Sequence, residues 1–230
     1  MTATRRLGLR TAVVLALIAI SGCRLVVSHA ILPVDQRGAD YAVRIERSVP
    51  LTASDGVVLV ADLYKPDTPN PAPTILLRVP FTKTFKNQLG ADAVGRFWAS
   101  HGYIVMIQGT RGRFKSGGVN YPLIHERQDG IDTLDWLSRQ PWFDGRLGMW
   151  GGSAFGYTQW VLADRSDPGP TALMIQLSST DFHDMFHPGG AFSLESALFW
   201  AARSRGDRDR DPTIAELETR ISGISAHRSR

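Results

Sequence analysis

Met149 to Gly156 reads Met-Trp-Gly-Gly-Ser-Ala-Phe-Gly and sets a single serine, Ser153, among glycines where an apolar run gives way to a helical one. A serine hydroxyl is a weak nucleophile until a sharp turn exposes it to a base and to backbone N–H donors, and such a turn leaves no room for side chains beside it. Gly151 and Gly152 supply that room. The chemistry implied is acyl transfer, with Ser153 as nucleophile and the backbone N–H of Ala154 as one donor to the developing oxyanion. The usual elbow is written G-x-S-x-G; here Phe155 stands two residues after the serine and the glycine follows one place later, at Gly156.

Acyl transfer by serine also needs a histidine to take its proton and an acid to orient that histidine, and in α/β-hydrolases both follow the serine in the chain. Seventy-seven residues follow Ser153, and only Thr171 to Leu177 among them reads as a strand. Asp181, His183, Asp184 and His187 are the nearest candidates, but triad members are recognised by geometry and not by proximity in sequence, and these four read as structural. His183 and His187 are spaced to share a helix face, yet no further ligand pattern supports zinc and Pro188 follows at once. His101 and His125 sit beside helix boundaries, where a capping or solvent-facing histidine is the ordinary reading. No metal and no cofactor is predicted.

Strand and helix signals alternate through the region that must hold the serine, the pattern of a mostly parallel sheet covered by helices on both faces. Val43 to Leu51 and Val57 to Tyr64 flank Ser54-Asp55-Gly56 as a hairpin, and Thr74 to Val79 and Tyr103 to Ile107 are short and continuously apolar, as strands buried on both faces should be. Val94, Phe97 and Trp98 mark one helix, and Ile131, Leu134 and Leu137 mark another. Leu147 to Trp150 is the strand entering the turn and Thr158 to Ala163 part of the helix leaving it. Trp150, Phe155 and Trp160 read as core residues of that strand-to-helix packing.

The order of motifs extends the argument. Ser54-Asp55-Gly56, Arg78-Val79-Pro80-Phe81, His101-Gly102-Tyr103 leading to Thr110-Arg111-Gly112, Asp132-Thr133-Leu134-Asp135-Trp136-Leu137, Gln140-Pro141-Trp142, the elbow running on to Thr158-Gln159-Trp160, and Pro188-Gly189-Gly190-Ala191 follow one another. As a series, from about Val43 to Trp200, they resemble the CocE/NonD hydrolases, the cocaine esterase and X-Pro dipeptidyl-peptidase-like group of the α/β-hydrolases. The resemblance implies a serine esterase or peptidase-like hydrolase acting on an acyl ester, an amide or an X-Pro dipeptide. It also implies that the family's second oxyanion donor, a tyrosine hydroxyl, is replaced here by Phe81, whose ring cannot donate. Loss of such a donor typically slows acyl transfer about a hundredfold to a thousandfold unless a backbone amide near Phe81 or Thr82 substitutes. Where the family reads Asp-x-Arg-Gly, this chain has Gly109-Thr110-Arg111-Gly112, so Arg111 is expected to lose its neighbouring carboxylate. The family's cap helices, last strands and β-rich domain lie beyond the matched region, so the chain resembles the N-terminal part of a longer hydrolase.

At 230 residues and 43% hydrophobic content the chain can bury one substantial core. Its net charge of +4 includes Arg5, Arg6 and Arg10 at the extreme N-terminus; subtracting these three leaves 23 basic against 22 acidic residues, a formal +1. No cluster of Lys and Arg interleaved with aromatic residues is present, which argues against a nucleic-acid partner. The three arginines precede the apolar run Thr11 to Ile20, too short to span a bilayer, and Ile20-Ser21-Gly22-Cys23 resembles a bacterial lipobox. The chain's one cysteine, Cys23, is thus the expected lipidation site, with an ordinary secretory signal cleaved near Ala30 as the alternative.

The expected organisation is a signal peptide over 1–22, a linker over 23–40, an incomplete α/β-hydrolase core over 41–178, and the start of a helical cap with a polar tail over 179–230. The expected partner is a small ester, amide or short-peptide substrate, met at the bacterial cell envelope. Membrane contact is expected only through the lipid, or not at all if the protein is secreted or periplasmic. The competing expectation is a non-catalytic lipoprotein that keeps the elbow and only binds a ligand or partner.

Overall fold

A computed structural model describes residues 40–81 and 85–204. The signal segment, Cys23, nearly all of the linker and the polar tail from residue 205 lie outside the described residues. Six strands form one sheet: β1 Val43–Thr52, β2 Val58–Pro66, β3 Ala72–Val79, β4 Ile104–Gly109, β5 Phe143–Gly152 and β6 Ala172–Gln176. Their spatial order is β1-β2-β4-β3-β5-β6. The first two pairings are antiparallel and the other three parallel. Among the described residues five α-helices accompany them: α1 Phe85–Ser100, α2 Glu126–Ser138, α3 Ala154–Trp160, α4 Phe182–Phe186 and α5 Leu194–Ser204.

The continuous apolar runs of β3 and β4 are explained by burial on both faces, since alternate side chains point to opposite sides. Leu76, Met106, Leu147 and Met149 meet Leu134 and Leu137 of α2 together with Leu162 on one face. Ile75, Leu77, Val105 and Ile107 meet Ala91, Val94, Trp98 and Ala99 of α1 on the other. Each large side chain so buried contributes about 1.5–3 kcal/mol relative to exposure. The antiparallel hairpin β1–β2 closes through Gly56 at φ 85°, the left-handed conformation the Ser-Asp-Gly turn predicts.

A polar network ties the hairpin to α1. The register of β1 shifts between Glu46 and Val49, where Ser48 takes φ 58° and donates its N–H to the fully buried Asp62 at 2.9 Å. Arg47 bonds Asp62 and the Tyr64 hydroxyl, each at 2.8 Å, and the Tyr64 hydroxyl donates to Asp92 at 2.6 Å. Burial alone would raise the Asp92 carboxyl, but the hydrogen bonds from Tyr64, Gln88 and Arg47 outweigh it and hold it below its ordinary value. A carboxyl depressed by folding stabilises the protein fully above its unfolded pKa of about 3.9, and that contribution disappears as pH falls through the folded value. Asp92→Asn is therefore expected to lower the urea midpoint at pH 6. The gap to the wild type should close as pH falls below about 4, and a gap independent of pH would contradict the assignment.

Candidate active site

β5 ends at Gly152, α3 begins at Ala154, and Ser153 alone makes the turn between them. Its backbone lies at φ 55°, ψ −125°, a conformation that L-residues avoid at about 1–3 kcal/mol and that persists only where the surroundings over-determine it. Those surroundings are specific. Ser153 donates its N–H to the Gln176 carbonyl of β6 at 2.8 Å, and its own carbonyl accepts from Gly156 at 2.9 Å and Tyr157 at 3.2 Å. Ser153 is exposed, and although it holds the N-cap position its side chain makes no cap hydrogen bond, so the hydroxyl is not committed to the helix. Ala154 is the first helical residue, and its N–H has no carbonyl one turn back to bond.

The glycines around the serine are explained by contact. A Cβ on Gly152 would lie 2.9 Å from the Gln176 carbonyl oxygen, and one on Gly151, at φ 139°, would lie 2.5 Å from the Phe155 Cβ. The displaced glycine has the same cause. A Cβ on the buried Gly156 would come within 2.4 Å of the Ser178 Cβ, so the close approach of α3 to the end of β6 falls at this position. Phe155 instead turns its ring edge-on to Phe81, with centroids 5.4 Å apart. Both rings line a cavity of about 430 Å³ with Leu77, Val79, Val94 and Trp150, and Gly151 and Gly152 border it. Phe81 thus stands beside the elbow with no polar atom in its side chain to offer there. Trp150 is half-buried and packs against the α1-side core, whereas Trp160 is 40% exposed, against the expectation of a core residue. In the same turn of α3 it is Thr158 and Gln159 that are buried.

The acidic and imidazole groups sort differently. Asp181 caps α4, its Oδ1 accepting from the N–H groups of His183 at 2.8 Å and Asp184 at 3.2 Å. The rings of His183 and His187 stack at 4.1 Å and 11°, which places them on one helix face as their spacing predicts. One ligand atom from each of Asp181, His183 and Asp184 lies within 4.8 Å of the others, but all three residues are exposed and the Asp181 Oδ1 already serves the helix. His101 accounts for itself as a C-terminal cap, with Nδ1 2.7 Å from the Phe97 carbonyl oxygen. His125 stands at the N-cap of α2 and makes no side-chain cap bond there.

Arg111 lacks the family motif's carboxylate at 109, so any ion pair it makes must differ, and it pairs with acids elsewhere in the chain. Its Nε and Nη2 bond both oxygens of the buried Asp129, at 3.1 and 2.6 Å, and Nη1 reaches Asp55 in the β1–β2 turn at 2.6 Å. Those bonds to Asp129 and then Asp55 raise the guanidinium above its already high pKa. Position 109 itself is closed, because a Cβ there would lie 2.4 Å from both the Arg113 carbonyl oxygen and the Phe114 Cβ. Two residues of the site carry more than their sequence motif disclosed. Gln159 is buried within α3, and Gln176 receives the Ser153 N–H through its backbone. An amide on the inward face of a short helix is the signal that singles out Gln159; a backbone acceptor such as Gln176 leaves no signal in side-chain type.

The family model for the X-Pro dipeptidyl-peptidase (S15 family) matches residues 55–222. A cocaine esterase from Rhodococcus sp. (strain MB1 Bresler) is 37% identical over 166 residues, 71% of this chain, and the chain spans 29% of that relative's length. Among solved structures, an α-amino acid ester hydrolase superposes with TM-score 0.55 at 23% identity, over 79% of this chain and 33% of its own. An aminopeptidase from the marine sediment archaeon Thaumarchaeota archaeon gives TM-score 0.53 at 24% identity, over 78% and 33% respectively. At these identities the two superpositions show the fold alone. Among the described residues, no helix is long and apolar enough to cross a membrane.

Proposed function

Since the chain belongs to the X-Pro dipeptidyl-peptidase (S15) family of CocE/NonD hydrolases, we propose that it cleaves a small acyl ester or amide through an acyl-enzyme on Ser153. The observation that carries this reading is the turn itself: an exposed serine at φ 55° between a strand and a helix N-terminus. In the first half-reaction the Ser153 oxygen bonds to the acyl carbon, its proton passes to a general base, and the alcohol or amine leaves with a proton. Water then releases the acid and restores the hydroxyl. The Ala154 N–H stabilises the oxyanion in both tetrahedral intermediates. Among the described residues no imidazole is bonded to Ser153. In this reading the enzyme is exported and held at the bacterial envelope by a lipid on Cys23, a proposal supported by the arginine-led apolar run before it.

A fluorophosphonate probe tests the reading. A covalent adduct mapped to the peptide that contains Ser153, and absent from Ser153→Ala, is the expected result, with the labelled protein entering the detergent phase unless Cys23 is replaced by serine. A folded wild-type protein that takes no label is the result that overturns it. That outcome favours the second reading, a binding protein that retains the elbow, which the missing hydroxyl at Phe81 supports.

A further inference from the structure

Gln159 is 1% exposed, on the inward side of a seven-residue helix where an apolar side chain would pack without leaving polar groups to satisfy. Its Nε2 lies 2.9 Å from the Gly151 carbonyl oxygen, 3.2 Å from that of Phe155 and 3.3 Å from that of Met174. Three acceptors around one nitrogen leave no choice of amide orientation, because the reversed group would set an oxygen against three carbonyl oxygens. Among the described residues the Oε1 has no partner. Burying a glutamine forfeits its rotamer freedom, and an unmade hydrogen bond adds to that cost. A side chain retained at that cost acts through what the nitrogen holds.

It holds the three segments that meet at the elbow. Gly151 is two residues before Ser153 on β5, Phe155 two residues after it on α3, and Met174 lies on β6, the strand whose Gln176 carbonyl receives the Ser153 N–H. We propose that Gln159 is a positioning residue for the nucleophile, its carboxamide fixing the strained turn at Ser153 and so the direction of the hydroxyl and of the Ala154 N–H. The inference rests on the acyl-enzyme reading above, and Gln159 itself touches no reacting atom.

The test is the kinetics of phosphonylation in purified full-length protein, with the rate at saturating probe separated from the concentration for half-saturation. Gln159→Met keeps length and volume and removes both donors. The saturating rate should fall on the order of a hundredfold, since a displacement near 1 Å at a reacting group has that effect, while half-saturation stays within twofold. Thr158→Val is the matched control. The Thr158 hydroxyl is also buried and also bonds the Phe155 carbonyl, at 2.8 Å, but has no bond to β5 or β6. Its saturating rate should stay within threefold of wild type.

If Gln159→Met does not fold, Gln159→Glu replaces it. Only the protonated carboxyl can donate to the Gly151 carbonyl, so the variant's rate relative to wild type should rise as pH falls from 8 to 5. A Gln159→Met rate equal to wild type, a change confined to half-saturation, an equal loss in Thr158→Val, or a pH-independent ratio for Gln159→Glu each overturns the proposal while leaving the acyl-enzyme reading intact. Absence of label on the wild type removes both.

Discussion

Asp129→Ala lowers the unfolding free energy by about 3–5 kcal/mol in urea titrations, the loss typical when one partner of a buried ion pair is deleted. Asp129 is 1% exposed and accepts two bonds from Arg111, whose side chain is only 10% exposed. Its second dependent is Arg78, a fully buried guanidinium that donates to the Gln108 side chain and to the Glu126 carbonyl. Burial lowers the Arg78 pKa, and Asp129 is the foremost of the nearby charges that oppose this, ahead of Glu126 and Asp132. Deleting Asp129 therefore leaves two cations desolvated with reduced compensation. The double variant Asp129→Leu with Arg111→Met should recover more than half of the loss, because removing both charges also removes their desolvation penalty. A single-variant loss below 1 kcal/mol would show that water or Asp55 compensates Arg111, and the pair would then not anchor α2 to the loop after β4.

Gly156→Val disrupts the elbow from behind. The added Cβ must displace Ser178, 2.4 Å from its Cβ and 2.8 Å from its Oγ, and it stands 3.0 Å from the Ile175 Cγ2. Overpacking of this kind costs about 1–3 kcal/mol, and the β-branch lies at its upper end. The larger consequence is for chemistry, since a shift of α3 away from Ser178 and Ile175 carries Ala154 with it. Labelling of Ser153 is expected to slow at least a hundredfold at a temperature where the variant is still folded by circular dichroism. Gly156→Ala tests the same contact more gently, because a gain in helix propensity of about 1 kcal/mol offsets part of the clash. Normal labelling by both would mean that α3 and β6 are not held as closely as the glycine indicates.

Much of this molecule is legible in the order of its residues. The apolar stretches Ile75 to Leu77 of β3 and Ile104 to Ile107 of β4 declare themselves because they are covered on both faces, and the hairpin because Gly56 supplies the one residue that turns at positive φ without strain. The elbow is legible for the same reason: close approach excludes side chains, so glycines at 151, 152 and 156 mark it before any coordinate is known. These are demands of local backbone geometry and of apolar periodicity, and both are carried by residues near one another in the chain.

Only the tertiary structure decided the rest. The order β1-β2-β4-β3-β5-β6 depends on where each crossover returns, which no single strand encodes. Arg111, which its motif leaves without an acid, finds Asp129 and Asp55 at distances of 18 and 56 residues along the chain. Gln159 reads as one polar residue among several until β6 brings the Met174 carbonyl, 15 residues on, to the same nitrogen as Gly151. Long polar side chains can satisfy themselves with whatever folding brings near, so their partners are set by distance in space, whereas a missing Cβ answers to the backbone at its own position.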